Sequence, residues 1–81
     1  NFKPDIDVRG MRGDEAVQAI TYFIDDAIQF SQPRVRILHG TGTGILKQLI
    51  RQYLNTVKEV KSYRDEHVQF GGAGITVVDF E

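Results

Sequence analysis

Arg34-Val35-Arg36-Ile37-Leu38 runs into His39-Gly40-Thr41-Gly42-Thr43-Gly44, and Ile45-Leu46-Lys47-Gln48-Leu49-Ile50 follows. The first run is strand-like, with apolar Val35, Ile37 and Leu38 between arginines. The last run places apolar side chains at helical spacing. A glycine-rich turn between a strand and a helix can bring several backbone N–H groups close to one anion. The loop's one clearly reactive side chain is His39, at the strand's end.

Upstream, Asp5-Ile6-Asp7-Val8-Arg9 alternates polar and apolar, which predicts a short strand burying Ile6 and Val8 and leaving Asp5, Asp7 and Arg9 on the opposite face. Asp14 to Phe30 carries Ala16, Val17, Ala19, Ile20, Phe23, Ile24, Ala27 and Ile28 in one broad stripe, the mark of an amphipathic helix. Asp14 and Glu15 suit its positive N-terminal end, and Ser31-Gln32-Pro33 ends it. The second helix is expected from about Gly44 to Asn55, with Thr43 as its N-cap. Its buried face is expected to include Ile45, Leu46, Leu49, Ile50, Tyr53 and Leu54, with Lys47, Gln48, Arg51 and Gln52 facing water. A third strand is expected at Val60–Tyr63, then a polar loop from Asp65 to Gly74, then a β-branched last strand at Ile75–Phe80. Tyr22, Tyr53 and Tyr63 read as core-edge aromatics, Phe70 as a loop-tip contact and His67 as a solvated loop residue. The order β-α-β-α-β-β implies parallel strands joined through helices and a closing antiparallel hairpin. The expected architecture is a two-layer α/β sandwich: a four-stranded mixed sheet with both helices on one face.

The chain has 81 residues, enough for one small domain, expected to be the C-terminal part of a longer protein. It has no cysteine, which excludes disulfides and thiolate metal sites, and its two histidines lack zinc-site spacing. No apolar run approaches the roughly 20 residues of a membrane span and no signal-peptide pattern opens the chain, so no membrane partner and a cytoplasmic location are expected. Net charge is −1, so global charge announces no polyanion partner. Locally, Arg9, Arg12, Arg34, Arg36, Lys47 and Arg51 all fall in the first two-thirds, a distribution that can bind a polyanion where the average cannot.

Ligands of α/β sheets sit beyond the C-terminal ends of the parallel strands. If the first two strands are neighbours, Asp7, Arg9, His39 and the glycine loop converge there. Loop amides and Arg9 can hold the non-bridging oxygens of a phosphodiester. His39 can move a proton or, as a strand-end histidine, bond a backbone carbonyl; Asp7 can orient His39, act as a base, hold a cation or, as an exposed strand residue, pair with Arg9. The glycines either cradle phosphate or only permit a tight turn. The loop lacks the Gly-Lys-Ser/Thr ending of an NTP-binding loop, and its evenly spaced glycines do not form Gly-x-Gly-x-x-Gly, which disfavours nucleotide binding.

Three motifs in order, Ile6-Asp7-Val8-Arg9-Gly10, His39-Gly40-Thr41-Gly42-Thr43-Gly44 and Gly71-Gly72-Ala73-Gly74-Ile75-Thr76-Val77-Val78, resemble the Smr (small MutS-related) domain over nearly the whole chain. Arginine at position 9, where other members carry histidine, is similar to the Smr domain at the C-terminus of the second, recombination-suppressing type of bacterial MutS protein. The resemblance implies a fold like the C-terminal domain of bacterial translation initiation factor three. It also implies nucleic-acid binding and nicking endonuclease activity. Asp7 and Arg9 resemble the first-motif residues implicated in cleavage, His39 the second-motif histidine, and Gly40, Gly42 and Gly44 its backbone cradle. Related Smr proteins also act on RNA, including messenger RNA on stalled ribosomes. An upstream ATPase region that dimerises the full-length protein is implied as well.

The expected function is a nicking endonuclease on double-stranded or branched DNA. Asp7 activates water or binds a cation, Arg9 clamps the phosphate, and His39 is general acid or orienting group. Thr41 and Thr43 complete the cradle, while Arg12, Lys47 and Arg51 steer the backbone. No cofactor is required, since one carboxylate is a poor Mg²⁺ site, although a divalent metal such as Mg²⁺ is compatible. The alternatives are an RNA endonuclease or ribosome-associated domain, in which the 2′-hydroxyl attacks, and a binding module that does not cut.

Overall fold

The computed structural model describes residues 2–81. It contains β1 (Asp5–Asp7), α1 (Gly13–Gln29), β2 (Arg34–Leu38), α2 (Ile45–Leu54), β3 (Val60–Asp65) and β4 (Ile75–Phe80), with short 3-10 turns at Val68–Phe70 and Gly72–Gly74. The sheet order is β1-β2-β4-β3. β1 and β2 pair in parallel, with Ile6 opposite Ile37 and Asp7 opposite Leu38. β4 is antiparallel to both of its neighbours. β3 therefore runs in the same direction as β2 without touching it, because β4 is inserted between them.

The pleat sorts side chains onto two faces. Val8, Val35, Ile37 and Val78 turn toward the helices and are fully buried against Ala16, Ile20, Ile24 and Ala27 of α1 and Ile50 and Leu54 of α2. Each buried aliphatic side chain of this kind contributes about 1.5–3 kcal/mol. On the other face, Leu38, Ile75 and Val77 run along the middle of the sheet beneath charged neighbours. There Arg34 and Arg64 share Asp79, and Arg36 pairs with Glu66 and Asp5. The layered architecture expected from the sequence is the one observed.

Several local expectations are corrected. β1 stops at Asp7, because the Arg9 N–H turns back to the Asp7 carboxylate (3.0 Å) in an Asx-type turn. β3 extends to Asp65, which shortens the loop after it. The N-cap of α2 is Gly44 and not Thr43: Gly44 sits at φ 82°, a left-handed conformation that glycine adopts without cost. The Thr43 hydroxyl only accepts a long 3.4 Å bond from the Ile45 N–H. The helix starts at Ile45, which lines the cleft and is 57% exposed instead of buried. Tyr22 is exposed on the outer side of α1. Lys47 and Arg51 are half-buried and face β3 and not bulk water. α1 starts as its sequence implies, with the Glu15 carboxylate accepting from the Arg12 N–H at 3.2 Å.

Candidate functional site

The parallel β1–β2 pair delivers two loops to the same end of the sheet. Between them lies a cleft of about 450 Å³, with Arg9, Gly10 and Met11 on one wall and the segment from His39 to Lys47 on the other. Among the described residues, the amides of Thr41, Gly42 and Thr43 donate to no protein acceptor, whereas Gly40 N–H donates to Gly74 O (3.0 Å) and Gly44 N–H to Thr41 O (2.9 Å). The first intrahelical bond of α2 is Gln48 N–H to Gly44 O (3.0 Å), so the N–H groups of Leu46 and Lys47 are also open. Residues with unpaired backbone donors and the N-terminal end of α2 thus line one cleft.

Arg9 forms the other half of the cleft. Its aliphatic stem lies beside Gly40, where a β-carbon would stand 3.6 Å from Arg9 Cγ. Its Nε and one Nη donate to the two oxygens of Asp7 at 2.9 and 2.6 Å. That leaves the opposite, Nη–Nη edge of the guanidinium free, and this edge is the one that forks onto a phosphate. The bond from Arg9 holds the Asp7 carboxyl down, to about 2, and Asp7 raises the Arg9 pKa in return. Asp7 is therefore a fixed anion behind Arg9. It does not orient His39 as the sequence allowed, because the pleat puts Asp7 on the helix-free face and His39 on the helix face.

His39 is 5% exposed, and both ring nitrogens are engaged. Nδ1 lies 2.8 Å from Gly40 O, and Nε2 lies 2.7 Å from the Thr76 hydroxyl. A carbonyl only accepts, so Nδ1 carries the hydrogen. Arg51 Nε and Nη donate to the same Thr76 oxygen at 3.2 and 3.1 Å, which leaves the hydroxyl hydrogen for His39 Nε2. Burial pushes the His39 pKa down, and the nearby Lys47 and Arg51 charges add to that effect. The ring is a neutral brace that ties the glycine loop to β4. His39 N–H and Gly40 N–H strengthen the tie by both donating to Gly74 O.

Of the residues singled out from sequence, the cleft brings together Arg9, His39, Gly40, Thr41, Gly42, Thr43, Gly44 and Lys47. Asp7 and Arg51 stand one step behind it. Arg12 lies outside, exposed and 3.6 Å from Asp14. Thr76 and Asp65 were missed. Asp65 takes Lys47 at 2.8 Å and Arg51 at 2.7 Å, and the Lys47 bond, with Arg51 beside it, lowers its pKa. The basic pair at positions 47 and 51, one helical turn apart, was the available signal for an anion facing α2 from the neighbouring strand. Among the described residues no group of three His, Asp or Glu side chains could hold a metal ion. Both Asp7 oxygens accept from Arg9.

The model of the Smr domain family matches residues 6–81. The chain is 42% identical over 77 residues to an endonuclease MutS2 of Geobacillus thermodenitrificans, covering 95% of the chain and 10% of that protein. It is 41% identical over 81 residues to an endonuclease MutS2 of Caldicellulosiruptor bescii, covering 100% of the chain and 10% of that protein. The chain thus spans about one-tenth of the length of these relatives. The crystal structure of the Smr domain of Thermus thermophilus MutS2 superposes with a TM-score of 0.92 at 35% identity, covering 98% of this chain and 99% of that one. YdaL, a stand-alone small MutS-related protein from Escherichia coli, shares the fold with a TM-score of 0.91 at 20% identity over 96% of this chain and 64% of its own. By family model, sequence and structure alike, the chain belongs to the Smr domain family.

Proposed function

We propose that the chain binds nucleic acid through the Arg9–glycine-loop cleft and nicks its phosphodiester backbone, acting on DNA within a longer MutS-type protein that suppresses recombination. The observation that carries this reading is the pairing of a preorganised guanidinium edge with unpartnered loop amides across one cleft. A phosphodiester offers two non-bridging oxygens. Arg9 takes one side, and the amides of Thr41 to Thr43 and the first turn of α2 take the other. As water adds to phosphorus, charge grows on those oxygens, and fixed donors stabilise the transition state more than the ground state. One P–O bond to the sugar breaks, and the proton lost by water ends on the leaving oxygen. Asp7 acts by holding Arg9, and His39 by holding the loop. Lys47 at the cleft wall adds positive potential.

RNA is a second reading, favoured by one observation. No cleft side chain is free to serve as a base at neutral pH: Asp7 is held to about 2, and both His39 nitrogens are bonded. A 2′-hydroxyl is an internal nucleophile that needs alignment above all. The test is a parallel assay of wild type and Arg9→Ala, purified identically, on supercoiled plasmid and on an RNA oligonucleotide. Nicked plasmid that falls about 10²- to 10³-fold in the variant supports the DNA reading. RNA products ending in 2′,3′-cyclic phosphate support the second. Binding without any product makes the domain a docking module, and equal cleavage by both proteins overturns the assignment of the site.

A further inference from the structure

A second groove, of about 220 Å³, opens on the helix-free side of the glycine loop. Arg9, Gly40 and Thr41 line both this groove and the cleft, so Arg9 is a ridge between them. A strand whose phosphate meets Arg9 places its next nucleoside in this groove. The floor is Leu38 and Ile75, both apolar, and the far side is Gly71 and Gly74. The charge nearby is already neutralised, since Arg36 is held by Glu66 at 2.8 Å. Such a surface suits a base better than a second phosphate.

One residue before Gly71, which lines the groove, Phe70 is 64% exposed. Its backbone is fixed. Phe70 N–H donates to His67 O (2.8 Å), and Arg36 donates to Phe70 O (3.2 Å). Gly71 turns at φ 130°, and a β-carbon there would overlap the Ile75 side chain. The His67 ring packs at 5.9 Å and 52° to Phe70, leaving the other face of the phenyl ring free. An exposed aromatic side chain on an anchored backbone, one residue from a groove that shares Arg9 with the phosphate cleft, is the layout of a base-stacking platform.

We propose that Phe70 stacks an unpaired base of the strand whose phosphate the Arg9 cleft holds, making the domain selective for unpaired nucleotides. The inference rests on the phosphate reading of the cleft. A paired base in a duplex has both faces covered by its neighbours, so only an unpaired one can reach the ring.

The chain contains no tryptophan, so Phe70→Trp introduces a single fluorescent reporter. Its emission is expected to be quenched saturably by a short oligothymidylate and to stay unchanged with a blunt duplex of equal length. Phe70→Ala is expected to bind the oligothymidylate about tenfold more weakly and the duplex as wild type does. Equal loss on both ligands, or loss on neither, overturns the proposal, as does quenching by an apolar peptide but not by oligothymidylate. Arg9→Ala separates the two readings. Weakened binding of both ligands by Arg9→Ala, with no selective effect of Phe70→Ala, sinks the stacking proposal alone. Unchanged binding of both by Arg9→Ala sinks the phosphate cleft on which it rests.

Discussion

The Nε2 of His39 and the hydroxyl of Thr76 lie 2.7 Å apart, in the interior, between the last residue before the glycine loop and the second residue of β4. The same hydroxyl receives Arg51, so one oxygen serves as the hub of a relay that runs from the exposed Asp65 through Arg51 to the buried imidazole. The relay anchors the loop that faces the ligand.

Thr76→Val keeps the shape and removes the hub. His39 Nε2 and the Arg51 guanidinium then lose a partner in the interior, which is expected to cost about 1–3 kcal/mol in urea unfolding. Thr76→Ser restores most of it. Nicking is expected to fall in the valine variant along with the order of the loop.

The His39 pKa lies below its ordinary value of 6.5 because the ring is buried. The unfolded chain therefore binds a proton more readily than the folded one. The sign follows by linkage: the contribution is fully present above about pH 6.5 and is lost as pH falls through the folded value. Unfolding free energy measured against pH is expected to decline below that point, and His39→Gln is expected to remove this part of the slope. A cleavage profile with a limb assigned to His39 near pH 6.5 would speak for a catalytic imidazole and against a brace.

Asp7→Asn tests whether Asp7 is a base or a clamp. As a clamp, its loss loosens Arg9 and is expected to weaken substrate binding about ten- to a hundredfold and to slow cleavage of bound substrate less than Arg9→Ala does. Stability is expected to change little, because the Asp7–Arg9 pair is exposed and screened by solvent. Since Asp7 is held at about 2, its pair with Arg9 stays intact down to about pH 4 and is lost only as pH falls toward that value. Binding is expected to show no Asp7 dependence above pH 4.

Lys47 and Arg12 are both basic, yet only Lys47 lines the cleft. Lys47→Ala is expected to reduce the slope of log K against log salt by about one, as removal of one phosphate contact does. Arg12→Ala is expected to leave that slope unchanged.

Much of this arrangement was legible in the sequence where one physical signal dominated. The bounds of β2 at Arg34–Leu38 and of β4 at Ile75–Phe80 coincide with their alternating and β-branched runs, and α1 is offset by a single residue at each end. The insertion of β4 between β2 and β3 was not legible, because the connections allow more than one strand order. Thr76 was hidden because threonine is an ordinary strand former; only its register opposite Ile37 turns the hydroxyl inward toward His39. Asp65 looked like one more polar loop residue until β3 proved long enough to carry it beneath Lys47 and Arg51. The Asp7–Arg9 pair was legible as one reading of an exposed alternating strand, whereas the two-pronged bond to both Asp7 oxygens was not, since shared facing does not say which hydrogen bonds form.

The most direct test of the phosphate cleft is an amide NMR titration of the domain with a short oligonucleotide. The expected result is saturable, salt-sensitive shifts at the Thr41, Gly42 and Thr43 amides, at the first turn of α2 and at Arg9 Nε, with α1 from Ala19 onward unmoved. Shifts clustered on α1, with the glycine loop silent, would contradict the account.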